Sequence, residues 1–136
     1  MAAPGADRIV RVLVVDDNQW FREWESKFLA ERAGICVVGT AGCASDGIQM
    51  ARDLHPDLVL MDVAMRGMNG LEATLRIKAE AASPQVVIVT LHDLPQYRTA
   101  AAACADGFVP KTQAVWALMP LIDKLFPGTG AFQVRA

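Results

Sequence analysis

Short unbroken apolar runs alternate along this chain with longer stretches in which apolar residues recur every three or four positions. A short apolar run bounded by turn formers reads as a strand buried on both faces, and the longer period reads as a helix packing one side onto such strands. The runs Ile9 to Val15, Ile35 to Ala41, Leu58 to Val63, Gln85 to Thr90 and Phe108 to Lys111 predict five strands. From Asn18 to about Arg32 the period is helical, and Trp20, Phe21, Trp24 and Phe28 fall within one arc of about 100°, an aromatic stripe expected in the core. Gly34 is expected to stop that helix, and Ser45 or Asp46 to cap a second one running to about Leu54. Asp57 opens the central strand. Asn69 is the expected cap of a third helix from Leu71 to about Ala82, which Ser83-Pro84 ends. Pro95 opens an alanine-rich fourth helix through Ala105, and Asp106-Gly107 turns into the last strand. In a fifth helix from Thr112 to Phe126, the residues Val115, Leu118, Met119, Ile122, Leu125 and Phe126 span about 120° and face the sheet, with Pro120 outside that arc. Strands alternating with helices in this way predict an α/β domain, a doubly wound parallel sheet covered on both faces.

Length and composition narrow this picture without changing it. The 136 residues fit one domain, assigned to 8–126, with an arm at 1–7 and a loose tail or linker start at 127–136. The chain is 53% hydrophobic and 21% charged, yet no apolar run is long enough to span a bilayer and the first residues carry no secretory signal pattern, so a cytoplasmic location is expected. Cys36, Cys43 and Cys104 lack metal-ligand spacing and read as reduced thiols. A net charge of −2 without any Lys/Arg cluster argues against binding nucleic acid.

The chemistry collects at the strand ends. The first strand ends in Asp16-Asp17, the central one in Asp62, the fourth in Thr90 and the fifth in Lys111, and in a parallel sheet all four ends share the edge where ligands bind. Crowded carboxylates repel each other, and a hard divalent cation such as Mg2+ relieves that repulsion. With Lys111 as a point charge and Thr90 as a hydroxyl donor, Asp62 suits the role of a carboxylate nucleophile that takes a phosphoryl group. Each position also has a plainer use: Asp16 and Asp17 suit a helix cap, Thr90 an ordinary strand and Phe108 the core.

The set Val14-Val15-Asp16-Asp17 with Arg22, then Leu60 through Gly70 around Asp62, then Ile88-Val89-Thr90, then Gly107-Phe108-Val109-Pro110-Lys111, resembles the receiver domain of two-component response regulators over residues from about 8 to 126. The wording around Asp62 and Lys111 is similar to receivers that precede a LuxR-type helix-turn-helix; no such DNA-binding half is expected within these 136 residues. The resemblance implies a flavodoxin-like (βα)5 sheet in the order 2-1-3-4-5, and a signalling phosphoacceptor that assists its own phosphorylation and dephosphorylation. It implies a histidine kinase or phosphotransfer protein as donor and Mg2+ as cofactor, for which Mn2+ can substitute. Asp17, Asp62 and the backbone carbonyl of Ala64 would ligate the metal directly, Asp16 mostly through water. Thr90 and Phe108 would form the switch, opening a surface of the fourth helix, fifth strand and fifth helix to a homodimer, with Tyr97 and Trp116 as its exposed aromatics. His92, two beyond Thr90, has the opportunity to influence phosphoryl lifetime. Three departures from the pattern stand out: Arg66 and Thr112 where proline is usual, and Cys104 where a glycine commonly ends the fourth helix. A metal-dependent phosphohydrolase with an aspartyl nucleophile and a flavodoxin-like ligand-binding module are the competing readings.

Overall fold

A computed structural model describes residues 8–128; the expected arm 1–7 and residues 129–136 of the expected tail lie outside the described residues. Five strands, β1 (Val10–Val15), β2 (Ile35–Ala41), β3 (Leu58–Met61), β4 (Gln85–Thr90) and β5 (Gly107–Pro110), pair in parallel in the order β2-β1-β3-β4-β5. Helices α1 (Gln19–Ala30), α2 (Ala44–Leu54), α3 (Gly70–Lys78), α4 (Pro95–Cys104) and α5 (Ala114–Leu125) connect and cover them, with a 3-10 turn at Lys111–Gln113 leading into α5. This is the flavodoxin-like order expected. Strand side chains alternate between two cores. Val10, Val12, Val14, Leu58, Leu60, Val87 and Val89 meet α1 and α5 on one face. Leu13, Val15, Val59, Met61, Val86 and Ile88 meet α2, α3 and α4 on the other. Both faces are covered, so the strand sequences carry no polar alternation.

Several local expectations need correcting. Trp20 is 84% exposed and Val115 59%, although the helical period puts both in core stripes. Trp20 lies about 100° from Phe21 around α1, while the buried Glu25 and Leu29 lie about 40° and 80° to the other side, so the inward face is centred away from Trp20. Val115 sits in the first turn of α5, before the buried run of Leu118, Met119 and Ile122. Helix α1 ends at Ala30 with Glu31 as its cap in a right-handed conformation, so Gly34 does not stop it; Gly34 instead accepts the Val10 N–H on β1. Neither Ser45 nor Asp46 caps α2. Its cap is Cys43, without a side-chain bond, because the helix is pressed onto β1 from its first turn; a Cβ at Gly47 would lie 2.8 Å from Val15 Cγ2. Helix α3 begins one residue early and stops at Lys78, several residues before Ser83-Pro84. There Lys78 Nζ donates to the Pro84 carbonyl at 3.0 Å and pairs with Asp106 at 2.7 Å, anchoring the helix end to the sheet. Helix α4 closes on Ala105 in an extended conformation, which settles the cap left open by Cys104. Tyr97 is half-buried against the α2/α3/α4 core, edge-on to His92 at 6.2 Å, and is not a free surface aromatic; Trp116 is, at 66% exposure.

Candidate functional site

Strand register decides what meets at the carboxyl edge. Val15 is level with Met61, Met61 with Ile88, and Thr90 with Pro110, so the residues just beyond or at these positions, Asp16, Asp62, Thr90 and Lys111, line one rim. Asp62 continues the ladder for one more bond, its N–H donating to the Val15 carbonyl at 3.0 Å. Beyond it the chain folds back: the Val63 carbonyl accepts the N–H groups of Met65 and Gly70, and Gly67 takes the turn at φ 76. Asn69 caps α3 as expected, accepting the Glu72 N–H at 2.9 Å. Gly70 is fixed by close approach, since a Cβ there would lie 1.8 Å from the Asp62 carbonyl oxygen. Helix α3 thus presses directly on the backbone that presents Asp62.

Asp16, Asp17 and Asp62 each offer an oxygen within 4.8 Å of the others; Asp16 and Asp62 are buried and Asp17 exposed. Lys111 Nζ, on a side chain only 5% exposed, reaches Asp16 Oδ2 at 2.8 Å and Asp62 Oδ2 at 3.4 Å. It also lies 4.5 Å from the centre of the Phe21 ring, a cation–π contact that gives the ammonium an apolar floor. Asp16 Oδ1 accepts the Asn18 N–H at 2.8 Å. Burial raises the Asp16 carboxyl above its ordinary range, and the bond from Lys111 pulls the other way. Asp62 Oδ1 is buried with no partner, an oxygen prepared for a ligand from outside the chain. Three carboxylates that each bring an oxygen to one place, with Asp62 Oδ1 buried and unbonded, fit a hard divalent cation.

Thr90 is fully buried, and its hydroxyl accepts the His92 N–H at 3.2 Å. Phe108, on β5 level with Ile88, is half-buried, with the Arg98 guanidinium 4.7 Å over its ring. Arg98 in turn pairs with Asp93. Ala64 is exposed in the loop after Asp62, and Arg66 is exposed beside Gly67. The helix cap at Asp16-Asp17 is neither acid but Asn18, whose side chain accepts the Phe21 N–H at 2.9 Å. One residue the sequence reading passed over is Glu25, fully buried on α1 with Oε2 unpartnered. Its signal is an acid that falls between Phe21 and Leu29 around the helix.

The response regulator receiver domain model matches residues 12–123. The chain belongs to this family. It is 37% identical over 121 residues to the response regulator GacA of Pseudomonas aeruginosa, covering 88% of this chain and 56% of that protein. It is 34% identical over 126 residues to the response regulator protein VraR of Staphylococcus epidermidis, covering 91% of this chain and 60% of that one. The receiver thus spans less than two-thirds of the length of these relatives. Among solved structures, a two-component response regulator of the LuxR family from Aurantimonas superposes with a TM-score of 0.82 at 28% identity, over 90% of this chain and 88% of that one. The signal receiver domain of NarL from Mycobacterium tuberculosis does so at 0.74 and 29%, over 83% and 95%. Membership of a signalling family does not favour the phosphohydrolase or the ligand-binding module. No helix among the described residues is long and apolar enough to cross a membrane.

Proposed function

We propose that this receiver accepts a phosphoryl group on Asp62 from a histidine kinase or a phosphotransfer protein. The carrying observation is a buried carboxylate at the end of the central strand with one oxygen unbonded and a lysine 3.4 Å from the other. An Asp62 oxygen forms the bond to phosphorus as the bond to the donor's imidazole nitrogen breaks, and the electron pair leaves with the imidazole. Asp17, Asp62 and the Ala64 carbonyl would hold Mg2+, with Asp16 acting through water. Bound there, Mg2+ would neutralise charge on the transferring group. Lys111 supplies a second positive charge from the β5 side, and its link to Asp16 keeps it poised until the phosphoryl group arrives.

The readout follows from the same residues. The Thr90 hydroxyl rotates from the His92 N–H toward a phosphoryl oxygen, and Phe108 moves into the space released. Contacts that differ between two states are what shifts a conformational equilibrium. Because Arg98 stacks on Phe108, α4 moves with it, and the surface of α4, β5 and α5 changes shape toward a protein partner, a homodimer in vitro; nucleic acid and membrane are not expected partners of this chain. Acetyl phosphate with Mg2+ should add one phosphoryl group by intact-mass measurement, and Asp62→Asn should abolish it. Undiminished labelling of Asp62→Asn would end the assignment. Beryllium fluoride should alter hydrogen exchange across residues 90–120 and raise the mass in light scattering; hydrolysis of small phosphate esters would favour the phosphohydrolase instead.

A further inference from the structure

We infer that Arg22 is a positioning residue for the acidic pocket, aiming Asp17 by clamping the peptide that precedes it. This rests on the metal-binding reading above and adds a residue that reading leaves without a role. Arg22 closes the first turn of α1, its N–H bonded to the Asn18 carbonyl at 2.9 Å. Its Nη1 reaches back to donate to the backbone carbonyl of Asp16 at 2.7 Å. The same guanidinium lies against Gly42, in the turn between β2 and α2: a Cβ there would meet Nη1 at 3.2 Å and Cζ at 3.8 Å. One side chain therefore pins two loops of the carboxyl edge together.

The consequence falls on Asp17. Asp16 is held by its own N–H to the Ala41 carbonyl at 3.0 Å and, through its carboxylate, by Asn18 and Lys111. Asp17 is exposed, and its carboxylate has no hydrogen-bond partner among the described residues. Its direction follows the peptide between residues 16 and 17, which is planar, so fixing the Asp16 oxygen fixes the plane from which Asp17 projects. A planar fork can bond that oxygen while its carbon stays against Gly42; a compact ammonium cannot do both.

Charge and geometry predict different outcomes, which makes the inference decidable. A cation beside a metal site repels the metal, so an Arg22 acting only through its charge would weaken Mg2+ binding, and changes that keep the charge would leave affinity unaltered. The test uses two such changes in the full chain. Arg22→Lys retains the charge and loses the fork; Gly42→Ala retains every charged group and displaces the guanidinium by a few tenths of an ångström. Calorimetric titration should show Mg2+ affinity about tenfold weaker for Arg22→Lys and about threefold weaker for Gly42→Ala, at or below the lower end of what losing an outer-sphere partner costs. The double variant should be no weaker than Arg22→Lys alone. Metal-free melting temperatures should stay close to wild type, and labelling by acetyl phosphate should return to the wild-type rate at saturating Mg2+, because the defect is in metal capture. Wild-type or tighter Mg2+ affinity in both single variants would overturn the inference, as would a labelling defect that excess Mg2+ does not relieve. Failure of the underlying reading looks different: wild type itself would bind no Mg2+, or Asp62→Asn would be labelled like wild type.

Discussion

Aspartates stand at both edges of this sheet, in opposite circumstances. Where strands enter, Asp57 precedes β3 and accepts the Arg11 N–H at 2.8 Å, and Asp106 precedes β5 and accepts the Val86 N–H at 2.8 Å together with Lys78 at 2.7 Å. Where strands leave, Asp16 and Asp62 share one lysine, and Asp62 keeps a buried oxygen unbonded. The entry acids close backbone hydrogen bonds that would otherwise go unmade, which is a structural use. The exit acids are crowded and under-satisfied, so they carry binding capacity at a cost in stability. One residue type therefore serves fold or function according to whether its oxygens are already committed.

The strongest way to break the contrast is through the floor of the exit edge. Gly70→Ala would force a Cβ against the Asp62 carbonyl, and overpacking of backbone on backbone should cost at least about 2 kcal/mol in urea denaturation and abolish metal-dependent labelling. Retained stability and labelling would show that α3 can yield there.

Glu25 extends the comparison to an acid at neither edge. Burial pushes its carboxyl up from 4.5 to about 8, with Asp16 adding repulsion. The folded state then holds a proton that the unfolded chain releases near 4.5, so this group's contribution to stability is fully present below pH 4.5 and is lost as pH rises toward about 8. Glu25→Gln should therefore gain on wild type by an amount growing through that window, on the order of a few kcal/mol by pH 9. A difference that does not vary with pH would refute the shift.

The smallest effects test the edges against each other. Asp106→Ala strands the Val86 N–H and Lys78, and should destabilise by about 1–3 kcal/mol. Asp62→Asn removes a crowded charge, and without metal should stabilise by about 1 kcal/mol. Equal signs in paired melting curves would erase the distinction between entry and exit.

Much of this was legible in the sequence, because strands buried on both faces write themselves as continuous apolar runs: β2 and β4 span the residues expected of them. Asp16, Asp17, Asp62, Thr90 and Lys111 are legible as one rim because the strands of a parallel sheet all end at the same edge. The missing parts are those that depend on how an element sits. An arc drawn through the aromatic residues alone turns the inward face of α1 toward Trp20, whereas the helix buries Glu25 and leaves the tryptophan out. The demand on Gly70 has no local signal, since it comes from a carbonyl eight residues back that only the folded chain brings close. The cap of α2 was misplaced because packing on Val15 overrode the preference of serine and aspartate for that position.

The exposed first turns of α1 and α5 make the molecule its own optical instrument. Its three tryptophans occupy separate environments: Trp24 stacks on Phe28 at 5.0 Å with an 18° tilt, while Trp20 and Trp116 look into solvent from the ends of their helices nearest the acids. Replacing the outer two with phenylalanine leaves an emission that follows unfolding, and replacing Trp24 leaves one that follows events at the rim, without any attached dye.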